Sequence, residues 1–344
     1  MRITLGVLET AVPQENETWK PHHNLMMLGS LATDILFAAV LMDRCPLEKQ
    51  EITRWDADTR LPLPRCVLLF YEYTDSIGDS ISRDSDEILE TPLPLIIVGR
   101  TIFTMPRGAV LRYWLSLIID RRAQLVLYLR MLDIPAPQMY EHRADDKQPA
   151  SQFDRYRLLV SIWLRGRWWE FRYCSWWSLT HMTISQMMLP EFDQEMANSR
   201  RVLEAVPEDN YSWKPHEKSM TLGRLAGHVA EMPGWAIVTI NQDKLELTPG
   251  MSATTATSKE QILSVFDKSL VIAREALAGA SDETLMANWS LIVGGHNVFT
   301  MPRTAVLRSM VMNHMIHHRA QLGVYLRLLD VKVPGVYGPT ADDK

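Results

Sequence analysis

The sequence predicts an all-α protein, a four-helix bundle tandemly duplicated with a truncated first copy. Three observations point there. Apolar residues recur at helical spacing through four long runs of the C-terminal half. The N-terminal half repeats the same landmarks in altered form. The last run, FTMPRTAVLRSMVMNHMIHHRAQLGVYLRLLD, sets His314 and His318 one turn apart in a seam with Leu307, Val311, Leu322, Tyr325 and Leu329.

The repeat sets the domain organisation. VLETAVPQENETWKP from Val7 answers VLEAVPEDNYSWKP from Val202, and MLGSLATD from Met27 answers TLGRLAGH from Thr221. FTMPRGAVLR from Phe103 answers FTMPRTAVLR from Phe299, RRAQLVLYLRMLD answers HRAQLGVYLRLLD, and both copies end in ADDK. The chain therefore divides into a degenerate first copy, residues 1–147, a Trp-rich linker, 148–181, and a complete copy, 182–344.

In the complete copy a first helix is expected from about Ile184 to Val206, with Ile184, Met188, Phe192, Met196 and Leu203 inward. A second starts near Leu222, carries His228 on the side of Leu225, and is expected to kink or end at Pro233 and Gly234. A third runs from Lys259 to Ala278, opened by the capping pattern Thr257, Ser258, Glu260, Gln261 and closed by Gly279. The Gly-Gly step in SLIVGGHNVF, from Ser290, predicts a short hairpin. The fourth helix opens with Pro302 at its first position and Thr300 as cap. Four helices with one long connection make a bundle.

The first copy keeps the skeleton and loses the chemistry. Asp34 stands where His228 stands, and LSLIIDRRAQ is one residue shorter than VMNHMIHHRAQ. Counting back from RAQL sets Leu117 and Arg121 opposite His314 and His318; counting forward from FTMPR gives Ile118 and Arg122. Neither register restores a ligand. The counterpart of Met182 to Arg201 would precede Met1, so most of a helix is missing and an apolar groove is expected. The linker holds Trp163, Trp168, Trp169, Trp176 and Trp177; it reads as cover for that groove or as a segment without evolved structure, in preference to a membrane-surface segment.

Composition excludes several classes. A net charge of −5 offers no general basic surface, so nucleic acid is not an expected partner and a small-molecule substrate is. Cys45, Cys66 and Cys174 are too few and too scattered for a disulfide framework or a paired-cysteine zinc site. The N-terminus lacks a signal peptide, and no run reaches the roughly 18 apolar residues of a membrane span. The expected location is cytoplasmic, with no membrane partner.

His228, His314 and His318 give three imidazole donors from two helices and leave a fourth position open, the layout of a catalytic metal site. Zn, Ni, Fe and Cu all suit such a set. The plainer reading is that these are ordinary core or surface histidines. His317 lies about 100° round the helix from His318 and reads as a rim residue. Glu231 is a weak candidate proton carrier beside its reading as a solvated acid, and Asn313 either steers an imidazole or faces solvent.

The segment LGRLAGHVAEMPGW, with VLRSMVMNHMIHHRAQLGVYLRLLDVKVPGVYGP, resembles the DinB/YfiT-like family of metalloenzymes over Met182 to Lys344. The resemblance implies an up-down-down-up four-helix bundle, a homodimer or here an intramolecular pseudo-dimer, and one divalent metal, Zn or Ni before Fe or Cu, on His228, His314 and His318. It also implies a thiol-dependent transferase or isomerase that uses a low-molecular-weight thiol, in stress response or detoxification. On that view the metal lowers the pKa of a bound thiol or water. The alternative is a non-catalytic, metal-stabilised bundle acting as a structural or interaction protein.

Overall fold

A computed structural model describes residues 16–43, 50–52, 86–97, 100–135, 182–248, 255–338 and 340–342, with scattered positions in 4–8 and 62–77. The Trp-rich linker, Cys45, Cys174 and the first ADDK lie outside the described residues.

The described chain is mostly helical, in the order α1 (Leu28–Asp43), β1 (Gln50–Ile52), α2 (Asp86–Glu90), β2 (Pro92–Ile97), β3 (Arg100–Pro106), α3 (Arg107–Met131) and α4 (Ile184–Glu204). It continues with α5 (Leu222–Asn241), β4 (Lys244–Leu247), α6 (Lys259–Gly279), α7 (Asp282–Met286), β5 (Asn288–Val293), β6 (His296–Pro302), α8 (Arg303–Val306) and α9 (Asn313–Leu328). A π-helical turn, Leu307–Met312, joins α8 to α9.

The strands correct the all-α expectation. Two three-stranded sheets form, β1-β2-β3 and β4-β5-β6. Each pairs its first strand parallel and its second antiparallel, and each carries a bulge at the matching place, Leu95/Ile96 and Leu291/Ile292. The expected hairpin is β5–β6. Gly294 and Gly295 turn it with φ of 55° and 80°, which suits a two-residue turn closed by the Val293–His296 pair. The third strand of each sheet had no readable alternation: β1 spans only three residues and β4 four.

Helix ends follow local chemistry. Ser258 Oγ accepts from the Gln261 N–H at 3.1 Å while Gln261 Oε1 accepts from the Thr257 N–H at 2.8 Å, so the capping pattern closes as expected. Pro233 does not end the second helix; α5 runs through it to Asn241. Thr300 is no cap, because it lies in β6, and Pro302 sits just outside α8. Arg303, buried at that junction, donates to the carbonyls of Thr239, Asn288 and Gln242 at 2.9, 3.3 and 3.1 Å and to Asp243 at 2.8 Å. It thereby ties the start of the last helix to the end of α5.

Residue contacts group the chain into two compact units, Met1–Met139 with Ala205–Leu225 and Ile316–Lys344, and Tyr140–Glu204 with Ala226–Met315. In the first, α1 packs along α3, and Leu31, Ile35 and Ala38 of α1 and Val126 and Leu129 of α3 are buried. In the second, α4 packs along α6, and Trp289, Leu291, Met301 and Val306 form a core on the sheet.

Within the first unit, residues in stretches of like sequence make like contacts. Trp19 meets the Tyr128 ring edge-on at 5.6 Å, as Trp213 meets Tyr325 at 5.6 Å. The Tyr128 hydroxyl donates to the Met26 carbonyl at 3.2 Å, and that of Tyr325 to Met220 at 3.1 Å. Two further contacts are reciprocal between the stretches of like sequence. His22 Nε2 meets Asp330 at 3.0 Å, and His216 Nε2 meets Asp133 at 3.2 Å, where Lys218 adds an ammonium at 3.1 Å. Both aspartates sit just past a helix end in the left-handed region, each with φ of 57°. The closing ADDK has a fastening role: Asp342 accepts from the Val333 N–H at 2.9 Å and pairs with Arg327 at 2.7 Å.

Candidate metal centre

The site begins with an insertion. α3 is an unbroken α-helix, whereas its counterpart α8–α9 contains the π turn at Leu307–Met312. One extra residue between FTMPR and RAQL is absorbed there, and a one-residue insertion rotates everything downstream by about 100°. Past the turn the two helices are aligned on RAQL in sequence. Leu117 corresponds to His314, Asp120 to His317, Arg121 to His318 and Gln124 to Gln321.

His228 on α5 and His314 and His318 on α9 each offer a ring nitrogen, and these nitrogens lie within 4.8 Å of one another. His314 and His318 are 2% and 1% exposed, and His228 is half-buried. His228 Nε2 stands 3.5 Å from His314 Nε2. That is the outer limit of an N–H···N bond and close to the roughly 3.3 Å that separates two nitrogen ligands of a tetrahedral ion.

The proton positions fit a metal. His318 Nδ1 and Gln321 Oε1 are 2.9 Å apart. A Gln Oε1 can only accept, so Nδ1 carries the proton and Nε2 keeps its lone pair for a ligand. Burial holds the His318 imidazole down to about 4, with the charges of Arg130 and Arg224 adding to the effect and Gln321 opposing it. A neutral ring is the state a metal requires. Trp235 stands edge-on to both His228 and His314, at 5.9 and 5.6 Å between ring centres, and is half-buried.

Not every expectation at the site holds. His317 is 4% exposed, so it is buried rather than a rim residue, yet it is outside the nitrogen cluster. Its ring packs against that of His318 at 4.9 Å. Glu231 is half-buried on α5 and does not join the cluster; Asn313 is half-buried at the start of α9. Gln321 and Trp235 were not singled out by sequence. Gln321 had a signal in its position three residues after His318.

A second group, His22, His23 and Asp330, has ligand atoms equally close. Its hydrogen bonds oppose a metal. His22 Nδ1 accepts from the Asn24 N–H at 3.2 Å, which places the proton on Nε2, the atom directed at Asp330. The Lys218 N–H fixes His216 in the same way at 3.2 Å.

The mostly helical fold and the three-histidine cluster mark a candidate metal centre. Among the described residues no helix is long and apolar enough to cross a membrane. Residues 180–344 match the model of the DinB family, so this part of the chain is similar to that family. The chain is 26% identical over 156 residues, 45% of its length and 89% of the relative, to the uncharacterized protein YrdA of Bacillus subtilis strain 168. Two solved structures are also similar. A DinB-like protein of Bacillus cereus ATCC 10987 matches 45% of this chain and 99% of its own at 26% identity and a TM-score of 0.37. The DinB-like protein YjoA of Bacillus subtilis matches 44% and 96% at 20% identity and a TM-score of 0.34.

Proposed function

We propose that residues 182–344 form a DinB-type four-helix bundle of α4, α5, α6 and α8–α9 that binds one divalent transition metal, Zn or Ni, through His228, His314 and His318. The bundle is a metal-dependent enzyme of thiol-transferase type, cytoplasmic, acting on a small electrophile in stress response or detoxification. The supporting observation is the convergence of the three imidazoles with the His318 tautomer set by Gln321. When bound, such a metal supplies Lewis acidity that lowers the pKa of a thiol at the open position. The chain's own residues orient the rings: Gln321 keeps the proton on His318 Nδ1, and Trp235 limits rotation of His228 and His314 while giving the site an apolar wall.

The same reading takes the chain as a tandem duplication, with residues 1–147 a degenerate copy standing where a second subunit would stand. The reciprocal His22–Asp330 and His216–Asp133 contacts support it, since a residue i that meets j while j meets i is the mark of a twofold interface. The experiment is metal analysis of the purified full chain, cobalt substitution, then a screen of low-molecular-weight thiols. A thiol should shift the cobalt spectrum and be consumed with an electrophile. A cobalt spectrum indifferent to every thiol would contradict the transferase reading.

A further inference from the structure

In the first half, the positions that correspond to the metal ligands hold an ion cluster. Arg121 Nε donates to Asp34 Oδ2 at 3.1 Å, and Arg121 Nη1 donates to Asp120 Oδ2 at 3.0 Å. Gln124, the counterpart of Gln321, donates to the same Asp120 oxygen at 2.7 Å. Asp34 corresponds to His228, Arg121 to His318 and Asp120 to His317. The third ligand position holds Leu117, 6% exposed.

These residues do not fit a metal. Two carboxylates remain as donors, and a guanidinium already lies between them. An incoming cation would meet that fixed positive charge and would have to expel it. Asp34 is 13% exposed and Asp120 8%, so neither carboxylate is solvated well enough to stand alone. Burial pushes the Asp34 carboxyl up from its ordinary value, and Arg121 pulls it part of the way back.

We propose that Arg121 is the built-in cation of the first half: its guanidinium cross-links α1 to α3 through Asp34, as a metal would cross-link α5 to α9, and no metal enters there. The inference rests on the reading of the two halves as copies for its positional correspondence, and on the distances above for its chemistry. The first half is thereby a metal-independent partner for the second.

The test is a double-mutant cycle in the full chain with Asp34→Asn and Arg121→Gln, read by melting temperature, beside a cobalt titration of His314→Ala. Arg121→Gln alone is expected to lower the melting temperature by about 5 °C, because it leaves two facing carboxylates unneutralised. Adding Asp34→Asn should recover at least half of that loss. Should Arg121→Gln fail to fold, Arg121→Lys, which keeps the charge, should melt closer to the parent than Asp34→Asn does. The His314→Ala chain should take up no cobalt. Additive losses in the cycle would overturn the proposal, as would an equivalent of cobalt in His314→Ala that Asp34→Asn removes. A triad that binds no metal, with the coupling intact, would refute the proposed function and leave this inference standing.

Discussion

On α1 and α3 an aspartate faces an arginine; at the corresponding positions of α5 and α9 one histidine meets two others. Around both places the landmarks are the same: the Trp–Tyr edge contact, the Tyr hydroxyl on a Met carbonyl, and a glutamine three residues past the key side chain. The difference teaches that a helix pair needs its cross-link but not one particular chemistry for it. A fixed guanidinium holds helices together. Three imidazoles that held a metal could also present a reactant to it.

The largest expected effect is on the histidine side. His314→Ala or His318→Ala should weaken metal binding by more than about 100-fold, beyond what loss of an orienting partner costs. Cobalt titration of each variant measures it. His317→Ala should keep the stoichiometry but melt lower than the parent, because it opens a cavity at a buried position. A loss of metal at His317 equal to that at His318 would show that the wrong histidine of the adjacent pair has been chosen.

Gln321→Leu sharpens the comparison next. It removes the acceptor that fixes the His318 tautomer and should cost about 10- to 100-fold in metal affinity, read by competition with a chelator. The mirror change Gln124→Leu should leave metal affinity untouched and alter only the melting temperature. Similar metal effects from both would erase the distinction between the halves.

Acid supplies a third test. His318 is lowered from 6.5 to about 4 by burial, so the unfolded chain binds its proton at higher pH than the folded one. Its contribution to stability is present above about 6.5 and is lost as pH falls towards about 4, a swing of about 3 kcal/mol. The metal-free chain should therefore become easier to denature with urea across that interval, and His318→Gln should flatten the slope. An unchanged slope would mean that His318 is not the group responsible.

Much of this comparison was legible in the sequence. The hairpin and the cap of α6 each carry a local signature that tertiary structure did not override, and the three histidines read from helical spacing lie together. What escaped depends on longer-range accounting. The π turn could not be located, because one inserted residue can be absorbed anywhere along a helix, and only hydrogen bonding shows that Leu307–Met312 takes it. That left two registers open, and with them the pairing of Arg121 with Asp34. Pro233 reads as a breaker, yet it removes one donor from a helix whose flanks, Met232 and Ala236, are buried. His317 looked peripheral only if α9 had a single buried face; Leu322, Val324, Tyr325 and Leu326 are all under 3% exposed, so it is buried on most sides.

The smallest effect concerns the reciprocal contacts. His22→Ala should change stability by no more than about 1 kcal/mol, since Asp330 is largely exposed. His216→Ala should do even less, because Lys218 remains on Asp133. Thermal melts of the two variants at matched pH give the order, and a larger loss at His216 would reverse it.

Cobalt(II) titration of the full, metal-free chain, followed in the visible range, tests the central claim most directly. Saturation is expected at one equivalent per chain, with the intense bands of a low-coordinate site, and no uptake after His228→Ala. Saturation at two equivalents, or one equivalent that survives His228→Ala, would contradict it.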